Sequence, residues 1–207
     1  ELSAQDKAEL DKLADVMRNP KLNFIAGSIS GHTDSIGTDK YTDVAPTSAS
    51  TRVGRFYSSD GSCSIASSSD AEVNSIQPLS NDKVMLKRRI DKLAIAGSTA
   101  GQMGTAWAWY LLSPKWNSVW SSNAAAEYGA ARKIVVLMTD GEYNMERDAN
   151  GLAIGWDLTG AGSNPNGVSS AQQAVNLCTS MKNDNIEVFT VGYDLGGNET
   201  AINTLSN

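Results

Sequence analysis

The chain has 207 residues, a net charge of -6 and 41% hydrophobic residues, enough for one domain with a sizeable core or one domain plus a fragment. The acidic balance leaves no basic stripe for a phosphate backbone and argues against nucleic acid as a partner. No apolar run approaches the ~20 residues of a membrane span, and a single histidine, His32, argues against Ser-His-Asp schemes and most metal hydrolases.

Residues 3–19 predict an amphipathic helix rather than a signal peptide. Ser3 is a cap, Asp6 its reciprocal partner, and Leu10, Leu13 and Met17 recur on one face before Asn19-Pro20 ends the run. Any export signal or anchor of the native protein is expected outside this chain. A strand is predicted over 22–30, followed by Gly31-His32-Thr33-Asp34-Ser35-Ile36-Gly37. From 38 to 81 the composition turns to Ser, Thr, Asp, Gly and Asn, with 52–57 as the one strand candidate, which reads as an elaborated loop or a junction. Ser80 then caps a predicted helix that turns Leu86, Ile90 and Leu93 inward and stops at Gly97. Ser98-Thr99-Ala100-Gly101 opens the next, carrying Met103, Ala106, Trp107, Tyr110 and Leu111 up to Pro114. Trp107 and Trp109 fall on different faces of it, and Trp116 and Trp120 fall in the loop beyond. Five tryptophans suit carbohydrate or peptide binding, but ordinary packing is the stronger reading. Cys63 and Cys178 have no CxxC partner; they form one disulfide, or Cys178 is a buried free thiol.

The most informative stretch is 133–142, where five apolar residues run into Thr139-Asp140-Gly141. A short run apolar at every position is what a strand covered on both faces looks like, and its carboxyl end is where open α/β sheets bind ligands. Hydroxyl and carboxylate oxygens there suit a hard divalent cation; the plainer reading is a turn after a buried strand. A surface loop is expected over 144–167. Ser169 or Ser170 then caps a helix with Ala174, Val175, Cys178 and Met181 inward, a strand follows over 186–191, and a further helix begins near 199. The alternation predicts an α/β fold with a mainly parallel central sheet and helices on both faces. The segments are 1–45, a helix and strand; 46–81, irregular; and 82–207, the main domain.

Three loops, Gly97-Ser98-Thr99, Thr139-Asp140-Gly141 and Gly192-Tyr193-Asp194, fall at strand ends or helix starts. The set resembles the von Willebrand factor type A domain, and more closely the A-type domain of TadG-like proteins of the bacterial Tad (Flp) pilus-assembly system. The resemblance covers about 52–207. It rests on Ile76-Gln77-Pro78-Leu79, Gly97-Ser98-Thr99-Ala100-Gly101, Gly104-Thr105-Ala106-Trp107-Ala108-Trp109-Tyr110, Leu112-Ser113-Pro114-Lys115-Trp116, 136–142 and 191–195. It implies a metal-ion-dependent adhesion site with Thr99 and Asp140 as ligands and Ser98 as their neighbour, holding Mg²⁺ or another divalent cation. The first-strand motif of that family, Asp-x-Ser-x-Ser, does not occur in 1–207, so the site is incomplete: the motif lies upstream, or metal binding has been lost. The first strand is correspondingly missing from the expected fold.

Residues 1–41 resemble part of an OmpA-like peptidoglycan-binding domain through 1–14, Asn19-Pro20-Lys21-Leu22 and 31–41. That resemblance implies Asp34 gripping the amine of a peptide stem, with Arg52 as the candidate for its carboxylate. The resemblances together imply a non-enzymatic binding and assembly module of the bacterial cell envelope, periplasmic or extracellular. Its partners would be pilus or envelope proteins, or peptidoglycan in the alternative reading. A metal-dependent hydrolase using Asp140 and Glu142 has the weakest support.

Overall fold

β-Branched and aliphatic residues in an unbroken run favour a strand over a helix, and residues 133–139 form one. The computed structural model describes residues 42–45, 76–92, 101–120, 124–139, 143, 145–147, 153–156, 169–193, 195 and 203. Strand β1 (Lys133–Thr139) pairs in parallel with the later strand Ile186–Gly192, in the register Lys133 with Ile186 through Thr139 with Gly192. A parallel pair needs a crossover. Here it contains the antiparallel strands β2 (Met145–Arg147) and β3 (Ala153–Trp156) and a 14-residue helix, after which Ile186–Gly192 is β4. This is a mixed α/β arrangement with a parallel strand pair, as the alternation of elements predicts.

Four α-helices are described: α1 (Lys83–Asp91), α2 (Gly101–Leu112), α3 (Asn117–Trp120) and α4 (Ser170–Asn183), with a 3-10 turn at Pro114–Trp116. Helices α2 and α4 pack on each other and on the same sheet face. Ala106, Trp109 and Tyr110 from α2, Leu177, Cys178 and Met181 from α4, and Val135 and Ile186 from the strands form one buried cluster with Trp116. Each large apolar side chain taken out of water there contributes roughly 1.5–3 kcal/mol. The Tyr110 and Trp116 rings stack at 4.0 Å, and Trp120 Nε1 donates to Tyr110 O at 2.8 Å. Trp109 and Trp116 are buried, so the packing reading holds for them. Cys178 is a buried free thiol.

The opposite sheet face is different. Burial alternates along β1, with Val135 buried while Val136 and Met138 are 40% and 76% exposed. Among the described residues, helices cover one face of this pair.

Four local expectations need correction. Helix α1 is capped by Asp82, whose Oδ1 accepts from the Val84 and Met85 amides at 3.0 Å, while Ser80 Oγ accepts from Asp82 N at 3.1 Å. With Leu86 as the buried residue, Ile90 is 59% exposed instead of inward. The predicted loop over 144–167 contains the β2–β3 pair, whose Asn and Gly content hides strand periodicity. Trp116 and Trp120 lie in the 3-10 turn and α3 rather than in a loop. Helix α2 ends before Pro114 as predicted, and Ser169, one of the two predicted caps, accepts from Gln172 N at 3.2 Å to start α4; Ser113 Oγ, not foreseen as a cap, accepts from Lys115 N at 3.2 Å to start the 3-10 turn.

Candidate functional site

Parallel strands direct their carboxyl ends to one rim, where side chains from different crossovers meet. Thr139 and Gly192 close the β1–β4 register, and Tyr193 N donates to Thr139 O at 3.0 Å, carrying the ladder one residue further. The Tyr193 side chain is 77% exposed at this rim.

Tyr143, four residues after the end of β1, links the rim to two helix starts. Its ring lies where a Cβ on Gly101, the first residue of α2, would stand, well inside van der Waals contact. The missing side chain at Gly101 is therefore a steric requirement. At α4, Ser170 Oγ donates to Tyr143 O at 2.9 Å, and both residues are buried. Thr105 Oγ1, one turn into α2, donates to Gly101 O at 2.9 Å. Burial pushes the Tyr143 phenol up to about 12, with the nearby Cys178 adding to the rise and a hydrogen bond from Thr105 opposing it. Burial likewise raises the Cys178 thiol. Neither group supplies a base or a thiolate nucleophile at neutral pH, so this convergence is a scaffold rather than a catalytic set.

A second polar cluster lies at the start of β1, about 20 Å along the strand from Thr139 at ~3.3 Å per residue. Asp43, with a side chain only 5% exposed, accepts from Tyr128 Oη at 2.9 Å and pairs with Lys115 Nζ at 3.0 Å. Lys133 is buried, yet its Nζ donates to Leu112 O at 2.6 Å and Ala126 O at 2.5 Å and sits 4.4 Å from the Tyr128 ring centroid. Burial lowers the Lys133 pKa and raises that of Tyr128, while the hydrogen bond to Asp43 raises Lys115. Trp109 Nε1 donates to Asp184 Oδ2 at 3.1 Å. These bonds tie the connections between elements to the body, as buried polar groups require.

Ser98, Thr99 and Asp140, the residues expected to hold a cation, lie outside the described residues, as do Asp34 and Arg52 of the wall-binding reading. Among the described residues no group of three or more His, Cys, Asp or Glu side chains is placed to hold a metal ion, and no helix is long and apolar enough to cross a membrane. Sequence reasoning missed Tyr143 and the Asp43–Lys115–Tyr128–Lys133 cluster. A lysine opening an otherwise apolar strand was the one available signal for the latter. Ser170 was visible as a possible cap, but the cap is Ser169, leaving Ser170 free to bond Tyr143. Compared with protein-family models, with curated proteins and with solved structures, the chain matches none.

Proposed function

We propose that this chain is a non-enzymatic protein-binding and assembly module of the bacterial cell envelope, an A-type domain of the TadG-like kind acting through the loops at Ser98-Thr99 and Asp140. The observation that carries the reading is the seating of the Tyr143 ring on Gly101. Gly101 stands two residues after Thr99 and Tyr143 three after Asp140, so the chain segments that flank the two proposed ligands meet. The parallel β1–β4 pair, ending at Thr139 and Gly192, supports a rim of the kind such domains use.

In this reading Thr99 and Asp140, with Ser98 beside them, hold Mg²⁺ or a similar cation, and water fills the positions that the missing Asp-x-Ser-x-Ser motif would supply. A carboxylate from a protein partner then takes the last position as a charge-assisted contact. So few protein oxygens give weak binding, with a dissociation constant on the order of 10⁻⁴–10⁻³ M. Calorimetric titration of Mg²⁺ and Mn²⁺ into the chain and into Asp140→Ala tests this. The expected result is weak binding heat that disappears in the variant. Equal heats from both proteins, or none from either, remove the metal-site reading.

A further inference from the structure

Helix α1 is tied to the body just before it begins and turns its outer side to solvent. Leu79 is buried with Leu111 and Ala125, and Asp82, three residues on, caps the helix. Within it Leu86 is the one buried residue, with Met85 and Arg89 half-buried beside it. At 3.6 residues per turn Lys83, Lys87, Asp91, Val84, Arg88 and Lys92 follow one another around the other side, where they line a shallow, open groove. All six are exposed, and so is Ile90 at their flank; Val84 is 82% and Ile90 59% exposed. This side holds four cations against the single carboxylate of Asp91, in a chain whose net charge is -6. The acidic average thus hides a local reversal of sign, with apolar side chains set among the cations.

We infer that this side of α1 docks the chain on an anionic phospholipid surface, with the helix lying in the plane of the headgroups. Charge complementarity requires an anionic occupant, and the form of the surface selects which one. Nucleic acid would match the cations but leave Val84 and Ile90 in water. The boundary between headgroups and acyl chains takes both out of water, while the lysine and arginine stems reach up to the phosphates. The groove is open and shallow, so it suits a plane and lacks the walls that would hold an acidic peptide. The acidic remainder of the chain does not prevent the contact. A helix with its side chains is about 10–12 Å across, more than the ~8 Å Debye length at physiological ionic strength. Carboxylates behind α1 are therefore largely screened from the lipid, and what repulsion is left orients the chain with α1 towards it.

Flotation of the full chain with vesicles tests it, in EDTA so that no divalent ion bridges acidic side chains to lipid phosphate. At about 0.1 M NaCl, binding is expected to phosphatidylcholine vesicles containing about one-third phosphatidylglycerol and not to pure phosphatidylcholine. At about 0.5 M NaCl, where the Debye length is about half as long, binding should weaken at least about tenfold. Each basic side chain near such a surface is worth about fivefold in partitioning, so Lys83→Gln with Lys87→Gln should weaken binding on the order of twentyfold, while Lys182→Gln on α4 leaves it unchanged. Val84→Ser keeps every charge and should still weaken binding severalfold, because the apolar contact is lost. Neither Thr99 nor Asp140 belongs to this side of the helix, so Asp140→Ala should float as the wild type does, and vesicle binding and the metal titration fail separately. Absence of binding to the anionic vesicles, equal binding to both lipids, or binding undiminished in the Lys83 and Lys87 pair overturns the inference. Undiminished binding of Val84→Ser overturns the in-plane seating. Retention of nucleic acid or polyglutamate by a chain that does not float assigns the strip to a soluble polyanion and overturns it too. The lipid and salt comparisons use the unaltered chain, so they decide the matter even if a variant loses its native circular dichroism.

Discussion

At the scale of single residues, Gly101 and Tyr143 make a sharp test. Alanine at a helical glycine ordinarily gains up to about 1 kcal/mol in helix propensity. Here the added methyl group meets a buried ring, and forcing extra atoms into a packed site costs about 1–3 kcal/mol. Gly101→Ala should therefore lower stability by about 1–2 kcal/mol in urea unfolding, against the propensity trend. In a Tyr143→Ser background the obstruction is gone, and the same change should be neutral or stabilising. An equal cost in both backgrounds would show that the ring is not the obstacle. The sequence displays Gly101 as a loop glycine near a helix start, yet its reason is a side chain 42 positions away, which no local pattern contains. Lys133 is legible only in part for the same kind of reason: its place at the head of β1 is plain, but its carbonyl partners are Leu112, at the end of α2, and Ala126, in the segment before the strand.

Elements follow local chemistry more closely. The turn from α4 into β4 places Asn185 at φ 58°, in the left-handed region. Asparagine tolerates that region and glycine prefers it, whereas a β-branched residue is strained there by roughly 1–2 kcal/mol. Asn185→Val should lower the unfolding free energy by about that amount and Asn185→Gly should leave it unchanged or slightly raised, both read from urea midpoints. Equal effects from the two would mean that the turn relaxes. The strand pair is also clamped beside its start, where Arg132 Nε and Nη2 meet the two Glu187 carboxylate oxygens at 2.5 and 2.6 Å. That pairing holds the Glu187 pKa below its ordinary value of 4.5. A depressed carboxyl contributes stability that is present above the unfolded value and lost as pH falls through the folded one. Glu187→Gln should thus show a small drop in urea midpoint at neutral pH, small because both side chains are partly exposed. The drop should vanish in strong acid, and a gap that persists there would assign it to packing. Strands β1 and β4 and helices α2 and α4 were legible because each announces itself by apolar spacing and a cap or proline. The β2–β3 pair was not, since two short strands among Asn and Gly residues carry too few positions to show a period. Ile90 was misassigned because three positions at helical spacing leave the rotation of so short a helix open, and Leu86 alone fixes it.

At the scale of the whole molecule, the two faces of the β1–β4 pair are unequal. The run 134–138 is apolar at every position and reads from sequence as a strand buried on both sides, but neighbouring residues of one strand report different environments. Val135 is 5% exposed and belongs to the cluster with Tyr110, Leu177 and Met181; Val136, one position on, is 40% exposed and registers with Phe189. Threonine keeps the shape and strand preference of valine while adding a hydroxyl, so the pair of substitutions isolates solvent access. Val135→Thr buries that hydroxyl against α2 and α4 and should cost about 1–3 kcal/mol. Val136→Thr should stay within about 0.5 kcal/mol of the wild type, as surface substitutions do. Equal and large losses in urea unfolding would mean that a further layer covers Ile134, Val136 and Met138, giving the doubly covered sheet that the alternation of elements suggests. A large loss confined to Val135 would instead fix the described core as one-sided, with the hydrophobic run serving one helical layer and leaving an open apolar face on the other.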